Sequence, residues 1–476
     1  MKNLVFVFCL FISITSVAQT PGVTIGNSNN DNALSFDFMN DSSLVLVGTS
    51  YDDINNGMDF LIVKFNQSLN MLWQRYYGYK HNDVPRKIIC IDTGYLIAGT
   101  IWDGGGIRED IALVAFSNDG NMLWEELYAG THRDQGFDVE PLDDGYAVLG
   151  YSKSDEPSGD IMLVRTNKNG EELWRNNYGT PFVDYGFDIM HNDSGLFIAA
   201  TAKGFFNPVE SDFHSHDADM MLLKIDDNGN EIYRRYYGED KHDLLKRIVP
   251  YDNGFLLFGS SQSYSHDNTF DAYLMKTNMQ GDSLWSKSYG YNDWDYGESL
   301  CINNEEDIYI LMSSALPQKE YKSAMNLYKL NNDGEILWNL VIEGEKSDYG
   351  VEVKATSDGG CYILGTTKSY GSGGSDFFLA KISKEGIIET YTDTIEEYDN
   401  NKIVLKPNPA NNYTVVDINS SNDSKISIQL FDIYGKLVYQ RSSYGTQINI
   451  SQLKPGTYIV KAISNRKQYS GKLIIY

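Results

Sequence analysis

The chain has 476 residues, of which 42% are hydrophobic and 22% are charged, and its formal net charge is −26 at pH 7. The length is too great for one ordinary domain. Charge is unevenly divided: the segment from residue 402 to the end carries +7, so residues 19–401 carry −34. An acidic body of this kind repels phosphates, which argues against nucleic acid and anionic lipid as partners.

The N-terminal residues have the pattern of a secretory leader. Lys2 precedes an apolar stretch from Leu4 to Ile14, and the small residues Ser16 and Ala18 follow it. A helix over that stretch would span about 17 Å, well short of the roughly 30 Å hydrocarbon core of a membrane. We therefore predict a cleaved signal peptide at residues 1–18 and no transmembrane segment.

A sequence unit recurs seven times within residues 19–395. Each copy has a lead glycine, an aspartate four or five residues later, and short apolar runs separated by turns. A period of about fifty residues with strand-like content is typical of a ring of four-stranded sheets. The runs are apolar on both faces, as expected for sheets covered by neighbouring blades. The pattern predicts an all-β, seven-bladed β-propeller. The lead glycines are Gly26, Gly78, Gly130, Gly179, Gly238, Gly290 and Gly344.

One large aromatic residue occupies an equivalent place in six of the seven units, where it would act as a wedge between adjacent blades. The seventh unit lacks it, and Pro21–Ile25 lies where the other units carry the aromatic strand, so we predict that the two ends of the repeat region share the last blade. Residues 118–124 and 168–174 resemble the tryptophan-docking repeat of quinoprotein-like propellers, which supports the fold more than any chemistry. The wedge residues are Trp73, Trp124, Trp174, Tyr233, Trp285 and Trp338.

Two aspartates recur along the repeats, and this repetition argues against a catalytic role, since seven identical active sites are implausible. We predict that each aspartate fixes a loop by accepting hydrogen bonds from backbone amides. The aspartates that follow the lead glycines are Asp31, Asp83, Asp134, Asp184, Asp243, Asp295 and Asp348. Those that open the third strand are Asp59, Asp110, Asp160, Asp219, Asp271 and Asp376.

The fourth unit carries the longest insertion, residues 203–217, and its loop is expected to share one rim of the ring with the matching loop of the next unit. Imidazoles and carboxylates that converge there could bind zinc or another divalent metal. The alternative is an acidic loop exposed to solvent. Calcium is a second candidate metal for such Asp-rich loops, although no Asp-x-Asp-x-Asp-Gly series occurs, and no other cofactor is predicted. The candidate ligands are His214, His216, Asp217, Asp219 and His266.

Three aromatic residues cluster after one lead glycine, namely Tyr291, Trp294 and Tyr296. Aromatic rings on a rim could stack against sugars. The alternative is that they pack between blades.

The sequence lacks the short motifs of common hydrolases and phosphate-binding enzymes. Three cysteines remain outside the leader, Cys90, Cys301 and Cys361, in different units and without paired spacing. An odd and scattered set indicates neither a disulfide framework nor a zinc site. We therefore predict buried thiols that behave as small hydrophobic side chains.

Composition shifts at residues 396–402, which we interpret as a linker to a C-terminal domain at 403–476. Short alternating runs and turn residues there predict about seven strands, typical of a small Ig-like β-sandwich. Four motifs resemble the type A sorting domain of type IX secretion cargo, the last being the closing run 472–476. Each alone could be an ordinary turn. The residues of the first three motifs are Pro407, Asn408, Pro409, Asp432, Gly435, Lys436, Gly456 and Tyr458.

This resemblance implies export across the inner membrane by the leader and recognition of the folded tail by the type IX machinery at the outer membrane. Leader and tail would then be removed, leaving a protein that is secreted or attached to the outer surface. The first functional hypothesis is a non-enzymatic propeller that binds a glycan, a polymer or a surface protein. The alternative is a secreted hydrolase or lyase acting on polysaccharide or peptide at the channel mouth, which paired carboxylates of raised pKa in the channel would favour.

Overall fold

The structure is a computed structural model that divides into two compact units, residues 1–391 and 392–476. The residues that it describes are 22–52, 57–79, 81–102, 109–128, 130–153, 159–203, 206–207, 212–213, 218–290, 293–316, 322–389, 403–406, 410, 412–417, 426–432, 436–443, 447–464 and 467–475.

Among the described residues of the first unit, seven antiparallel sheets of four strands form the blades. The first strand of this unit and the strands of blades one to three are β1 (Val23–Ile25), β2 (Asp31–Phe38), β3 (Leu44–Asp52), β4 (Gly57–Phe65), β5 (Met71–Tyr77), β6 (Val84–Ile91), β7 (Gly94–Trp102), β8 (Glu109–Ser117), β9 (Met122–Tyr128), β10 (Asp134–Leu142), β11 (Gly145–Ser152), β12 (Asp160–Asn167) and β13 (Glu172–Tyr178).

The remaining blades follow in chain order, and a two-stranded ribbon, β16 and β17, interrupts the fourth blade. Their strands are β14 (Asp184–Asn192), β15 (Gly195–Lys203), β16 (Phe206–Asn207), β17 (Asp212–Phe213), β18 (Ala218–Ile225), β19 (Glu231–Tyr237), β20 (Asp243–Tyr251), β21 (Gly254–Ser261), β22 (Asp271–Asn278), β23 (Ser283–Tyr289), β24 (Asp295–Ile302), β25 (Ile308–Leu316), β26 (Lys322–Leu330), β27 (Ile336–Ile342), β28 (Asp348–Ala355), β29 (Cys361–Thr367) and β30 (Asp376–Ile382).

The ring closes by pairing its two ends, as the sequence predicts. Strand β1 adds to the edge of β30, with Val23 opposite Leu379 and Ile25 opposite Phe377. The seventh blade therefore has the strand order β1-β30-β29-β28. Its buried side chains share one core with those of the first blade. The prediction of a seven-bladed, all-β propeller is confirmed.

The aromatic wedges lie between blades. Trp124 of the second blade packs on the core shared by the second and third blades, and a Cβ added to Gly170 of the third blade would lie 2.5 Å from its ring. Gly170 also has φ of +83°, so both its backbone and its neighbour require glycine. The Tyr128 hydroxyl donates a hydrogen bond to the Gly170 carbonyl at 2.7 Å. The wedge prediction is confirmed at this junction.

The recurring aspartates fix loops, as predicted. Asp83 is buried, and the backbone amides of Tyr79 and Trp102 donate hydrogen bonds to its carboxylate. A Cβ on the lead glycine Gly78 would lie 2.6 Å from an oxygen of Asp83 and 2.6 Å from one of Asp59. A side chain at Gly78 would therefore clash with both carboxylates, which explains why this lead residue is glycine.

The three described cysteines are free thiols, with Cys361 buried and Cys90 and Cys301 half-buried. Burial raises the pKa of the Cys90 thiol to about 12, so it stays protonated near neutral pH. The prediction of unpaired thiols agrees with this placement, and that of burial agrees at Cys361, whereas Cys90 and Cys301 are only half-buried.

The second unit is a sandwich of a three-stranded sheet, β31-β32-β35, and a four-stranded sheet, β34-β33-β36-β37. Its core includes Val416, Ile428, Ile448, Val460 and Leu473, each below 1% exposed. The predicted small β-sandwich is confirmed. Its strands are β31 (Val404–Lys406), β32 (Tyr413–Asp417), β33 (Ile426–Asp432), β34 (Leu437–Ser443), β35 (Gln447–Asn449), β36 (Gly456–Ser464) and β37 (Lys467–Ile475).

Candidate functional site

The central channel is lined by the first strand of each blade, namely β2, β6, β10, β14, β20, β24 and β28. Each of these strands has a β-bulge three residues after the aspartate that follows the lead glycine. A bulge inserts one residue that has no partner in the ladder and re-aims the side chains beside it. The bulge residues are Leu34, Arg86, Phe137, Phe187, Lys246, Glu298 and Val351. The residues that follow them, which we call the belt, are Ser35, Lys87, Asp138, Asp188, Arg247, Ser299 and Glu352.

Belt residues fasten each blade to the next. The amide of Ile189 in the fourth blade donates to Asp138 of the third at 3.0 Å, and the amide of Ile248 in the fifth donates to Asp188 at 2.8 Å. Equivalent bonds join Ile88 to Ser35, Val353 to Ser299 and Phe36 to Glu352. Five of the seven belt residues are therefore acceptors that hold the ring together.

The other two belt residues are cations, which have no acceptor to offer a neighbouring amide. Lys87 of the second blade instead pairs with Glu352 of the seventh, with its Nζ 3.3 Å from the carboxylate. Glu352 also accepts a hydrogen bond from the Ser35 hydroxyl at 3.0 Å. Burial opposes ionisation of Glu352, but Lys87, Lys354 and Arg247 outweigh it and lower its pKa to about 2. Glu352 is thus a buried, ionised carboxylate.

Asp188 is in the opposite electrostatic situation. Burial and the neighbouring carboxylate of Asp138 raise the pKa of Asp188 to about 8, although Arg247 and Lys87 act against them. The Arg247 guanidinium lies 3.8 Å from Asp188, too far for a short ion pair. Asp138 and Asp188 are therefore a pair of channel carboxylates, one of which is protonated at neutral pH.

Two cavities among the described residues are lined by residues of the inner strands. The distal cavity, of about 490 Å³, is lined by belt residues and by residues that follow them. Within it, burial and then Asp138 raise the pKa of Glu140 to about 7, against the hydrogen bond from the His191 amide at 3.0 Å. Lys354, which also lines this cavity, pairs with Asp37 of the neighbouring first blade at 2.6 Å. The distal cavity thus contains several titratable groups.

The proximal cavity, of about 360 Å³, is lined mainly by residues at the bulges and just before them. Arg86, Lys246 and Arg247 bring three cations to it, and Glu298 brings one carboxylate. Lys246 and Glu298 form an ion pair at 2.5 Å. The remaining lining is apolar and aromatic: Ala33, Leu34, Phe137, Phe187, Gly350 and Val351.

The predicted metal ligands lie mostly outside the described residues, which exclude His214, His216 and Asp217. Asp219 is buried at the start of β18. The Nδ1 atom of His266 lies 3.1 Å from the carboxylate of Asp271, and its side chain is largely exposed. Within the described part of the chain, no three His, Cys, Asp or Glu side chains are arranged to hold a metal. The metal site stays a prediction.

The predicted aromatic cluster is described in part. Trp294 and Tyr296 are both half-buried, with ring centroids 5.3 Å apart. Tyr296 also contacts Phe270 of the preceding blade at 5.1 Å. Tyr291 lies outside the described residues. The Tyr296 ring therefore contacts a residue of another blade. This agrees with the alternative given above, that these aromatic residues pack between blades.

The motif residues of the C-terminal domain lie at strand ends and in its core. Tyr458 is buried, and its hydroxyl donates to the Lys454 carbonyl at 2.7 Å. Gly456 begins β36, Asp432 ends β33, and Lys436 is exposed just before β34. Motif residues outside the described part are Pro407, Asn408, Pro409 and Gly435.

The sequence reasoning missed the belt and the bulge residues. The available signal was their spacing: they stand three and four residues after the first aspartate in every blade, yet their identities differ from blade to blade. Positions that repeat in geometry but vary in chemistry are where function and assembly can differ between blades.

Comparison with known proteins identifies the tail. Residues 405–476 match the family described as the secretion system C-terminal sorting domain. No curated protein matches the chain significantly. Among solved structures, the propeller domain of the Trilobed protease from Pyrococcus furiosus is 11% identical, with a TM-score of 0.44, over 78% of this chain and 99% of that one.

Another similar structure is PorZ, a surface component of the type IX secretion system of Porphyromonas gingivalis, at 9% identity and a TM-score of 0.31 over 95% of this chain and 75% of that one. Puromycin hydrolase is similar at 10% identity and a TM-score of 0.49, over 93% of this chain and 61% of that one. No described helix is long and apolar enough to cross a bilayer. The chain is a β-propeller protein that carries a type IX secretion C-terminal sorting domain and is exported to the cell surface or beyond it.

Proposed function

We propose that this exported propeller is a binding scaffold that takes its ligand at the mouth of the channel, and that it is not a hydrolase. The observation that carries the proposal is the use made of the belt carboxylates. Asp138, Asp188 and Glu352 each accept a backbone amide of the next blade. Groups committed to holding the ring are poorly placed to reorganise during catalysis, whereas the bulge residues beside them line a cavity.

The proposal predicts binding without turnover. The intact chain is screened against a panel of neutral and acidic oligosaccharides, with product release measured in the same samples. We expect one class of oligosaccharide to bind and to be recovered unchanged. Cleavage of any bound oligosaccharide, abolished by Glu140→Gln, would contradict the proposal.

The hydrolase alternative is favoured by two channel carboxyl groups of raised pKa, Glu140 at about 7 and Asp188, beside Asp138, at about 8. A carboxyl group of pKa about 7 is suited to protonating a leaving group near neutral pH. Under this alternative, Glu140→Gln would abolish turnover and leave binding intact. Asp143→Asn, in the turn that follows the same inner strand, is the control and should change neither.

Export itself depends on the tail. We expect deletion of residues 403–476 to retain the propeller inside the outer membrane, because the sorting domain is what the secretion machinery recognises. Cell fractionation with an antibody against the propeller measures this. Arrival of the truncated protein outside the cell would show that the tail is dispensable.

A further inference from the structure

The bulge position is the place on the inner strands where side chains are least required by the fold. Its residue has no partner in the strand ladder, and the interblade amide bonds are made by the belt residue after it. The seven bulge residues include three charged side chains and two phenylalanines. The bulge geometry repeats in every blade while the side chain changes, which is the pattern expected where side chains contact a ligand.

The proximal cavity carries a net positive charge, whereas the propeller around it is strongly negative. Residues 19–401 carry −34, yet the cavity is lined by three cations and one carboxylate. Arg86 makes no ion pair with a carboxylate of the described residues, and its guanidinium lies 5.5 Å from the centre of the Phe137 ring. An arginine held in this way keeps its hydrogen-bond donors available to an incoming anion.

Aromatic rings form the wall beside Arg86. Phe137 contacts Phe187 with ring centroids 5.8 Å apart, and both rings contact Tyr185 at 6.3 and 6.1 Å. Tyr185 is held from behind by Tyr151, stacked at 4.6 Å. Phe137, Phe187 and Tyr185 are half-buried and Tyr151 is buried. Together they offer a fixed apolar surface on which the apolar face of a sugar ring can pack.

We propose that the proximal cavity binds the negatively charged end of an acidic polysaccharide, with Arg86 on the acid group and Phe137 and Phe187 against the sugar ring. This inference rests on the proposed function and adds the chemistry of the ligand. The volume of about 360 Å³ is near the lower end of ligand pockets, which span about 300–1,000 Å³. The acidic body repels a long polyanion, which favours entry of a chain end.

The test is calorimetric titration of the intact chain with trigalacturonate, with a sulfated trisaccharide, and with neutral galactotriose. Trigalacturonate is expected to bind, and more weakly at high salt because the contact is ionic. Arg86→Gln should weaken this binding at least about tenfold, since a charge-assisted bidentate contact is lost. Comparison of the sulfated trisaccharide with trigalacturonate shows whether the site prefers a sulfate or a carboxylate. Weaker binding of either acidic probe by the Arg86→Gln variant supports the anion site.

The matched control is Arg75→Gln. Arg75 lies on the outer strand β5 with its guanidinium 5.5 Å from the centre of the Trp73 ring. Both substitutions remove one positive charge and one contact between a cation and an aromatic ring, so a general effect of net charge is the same in both. We expect Arg75→Gln to leave the affinity for trigalacturonate unchanged within about twofold. Equal weakening by both variants would overturn the proposal.

Other outcomes separate this inference from the proposed function. Binding of galactotriose as tight as that of trigalacturonate, unaffected by Arg86→Gln but lost in Phe137→Leu, would overturn the acidic ligand and leave binding at the channel mouth intact. Failure of both acidic probes to bind would also overturn the inference. Absence of binding by any oligosaccharide of the wider panel would overturn glycan binding as well.

Discussion

The belt and the bulge positions are adjacent on all seven inner strands, yet they have different roles. Asp138 and Asp188 at the belt accept amides of the next blade, whereas Phe137 and Phe187 just before them have no partner in the ladder and line the proximal cavity. The difference teaches that charge in a propeller channel is not by itself evidence of catalysis. Each channel residue has to be assigned by what it contacts.

The largest effect is expected at Glu352, where an ion pair and an interblade bond meet. Glu352→Ala leaves Lys87 as an uncompensated buried charge and the Phe36 amide without its acceptor. We expect the free energy of unfolding to fall by about 3–5 kcal/mol. Urea denaturation measures it. Glu298→Ala, at the bulge, is the control and should cost about 1 kcal/mol or less, because its partner Lys246 is partly exposed.

The belt carboxylates should also respond to pH in opposite directions. Asp188 has a folded-state pKa of about 8 against an ordinary 3.8, so the native state holds a proton that the unfolded state has lost, and stability falls as the pH rises from about 4 to 8. Glu352 has a folded-state pKa of about 2 against 4.5, so its contribution is present above about pH 4.5 and is lost as the pH falls towards 2.

Asp188→Asn tests the first of these dependences. The variant lacks the ionisation that costs stability at high pH, so its Tm relative to the unmodified protein should rise between pH 4 and pH 8. Thermal unfolding at several pH values measures this. A difference in Tm that stays constant across the range would contradict the assignment of a protonated Asp188.

A smaller effect is expected at Ser299, a neutral belt residue. Ser299→Ala removes the acceptor of the Val353 amide, a bond of 3.2 Å. An amide left without its partner costs about 1–3 kcal/mol. Ser299→Thr keeps a hydroxyl at this position and should recover part of the loss in the same denaturation measurement. Equal stability of the alanine and threonine variants would argue against the interblade bond.

The smallest effect on stability is expected at the bulge itself. Phe187→Leu keeps apolar volume at a half-buried site, so its cost should be within about 1 kcal/mol. Its effect on oligosaccharide binding should be much larger, because the aromatic face is lost. A variant that unfolds readily but binds normally would reverse the roles given to belt and bulge.

The sequence was sufficient for features that repeat. The spacing of Gly78 and Asp83, the Leu-Trp pair at Trp124 and the missing aromatic in the last unit predict the seven blades, the wedges and the closure by β1, all of which the structure has. These features are set by local patterns that every blade shares, so seven copies of the pattern reinforce one another.

The channel could not be predicted in the same way. The partner of Lys87 is Glu352, 265 positions away, and the pairing exists because closure of the ring places blades two and seven on either side of blade one. Each bulge also breaks the regular alternation of side chains between the two faces of the strand. A search for alternating residues therefore does not reveal on which face Arg86 and Phe137 lie. The insertion with His214 and His216 lies outside the described residues, so its metal site stays a prediction.

The central claim is tested most directly at Arg86 and Lys87, two adjacent cations, one at the bulge and one in the belt. The measurement is the free energy of unfolding of Arg86→Gln and Lys87→Gln by urea denaturation. The account predicts a change within about 0.5 kcal/mol for Arg86→Gln and a loss of about 3–5 kcal/mol for Lys87→Gln, which strands the ionised Glu352. Equal losses in the two variants would contradict it.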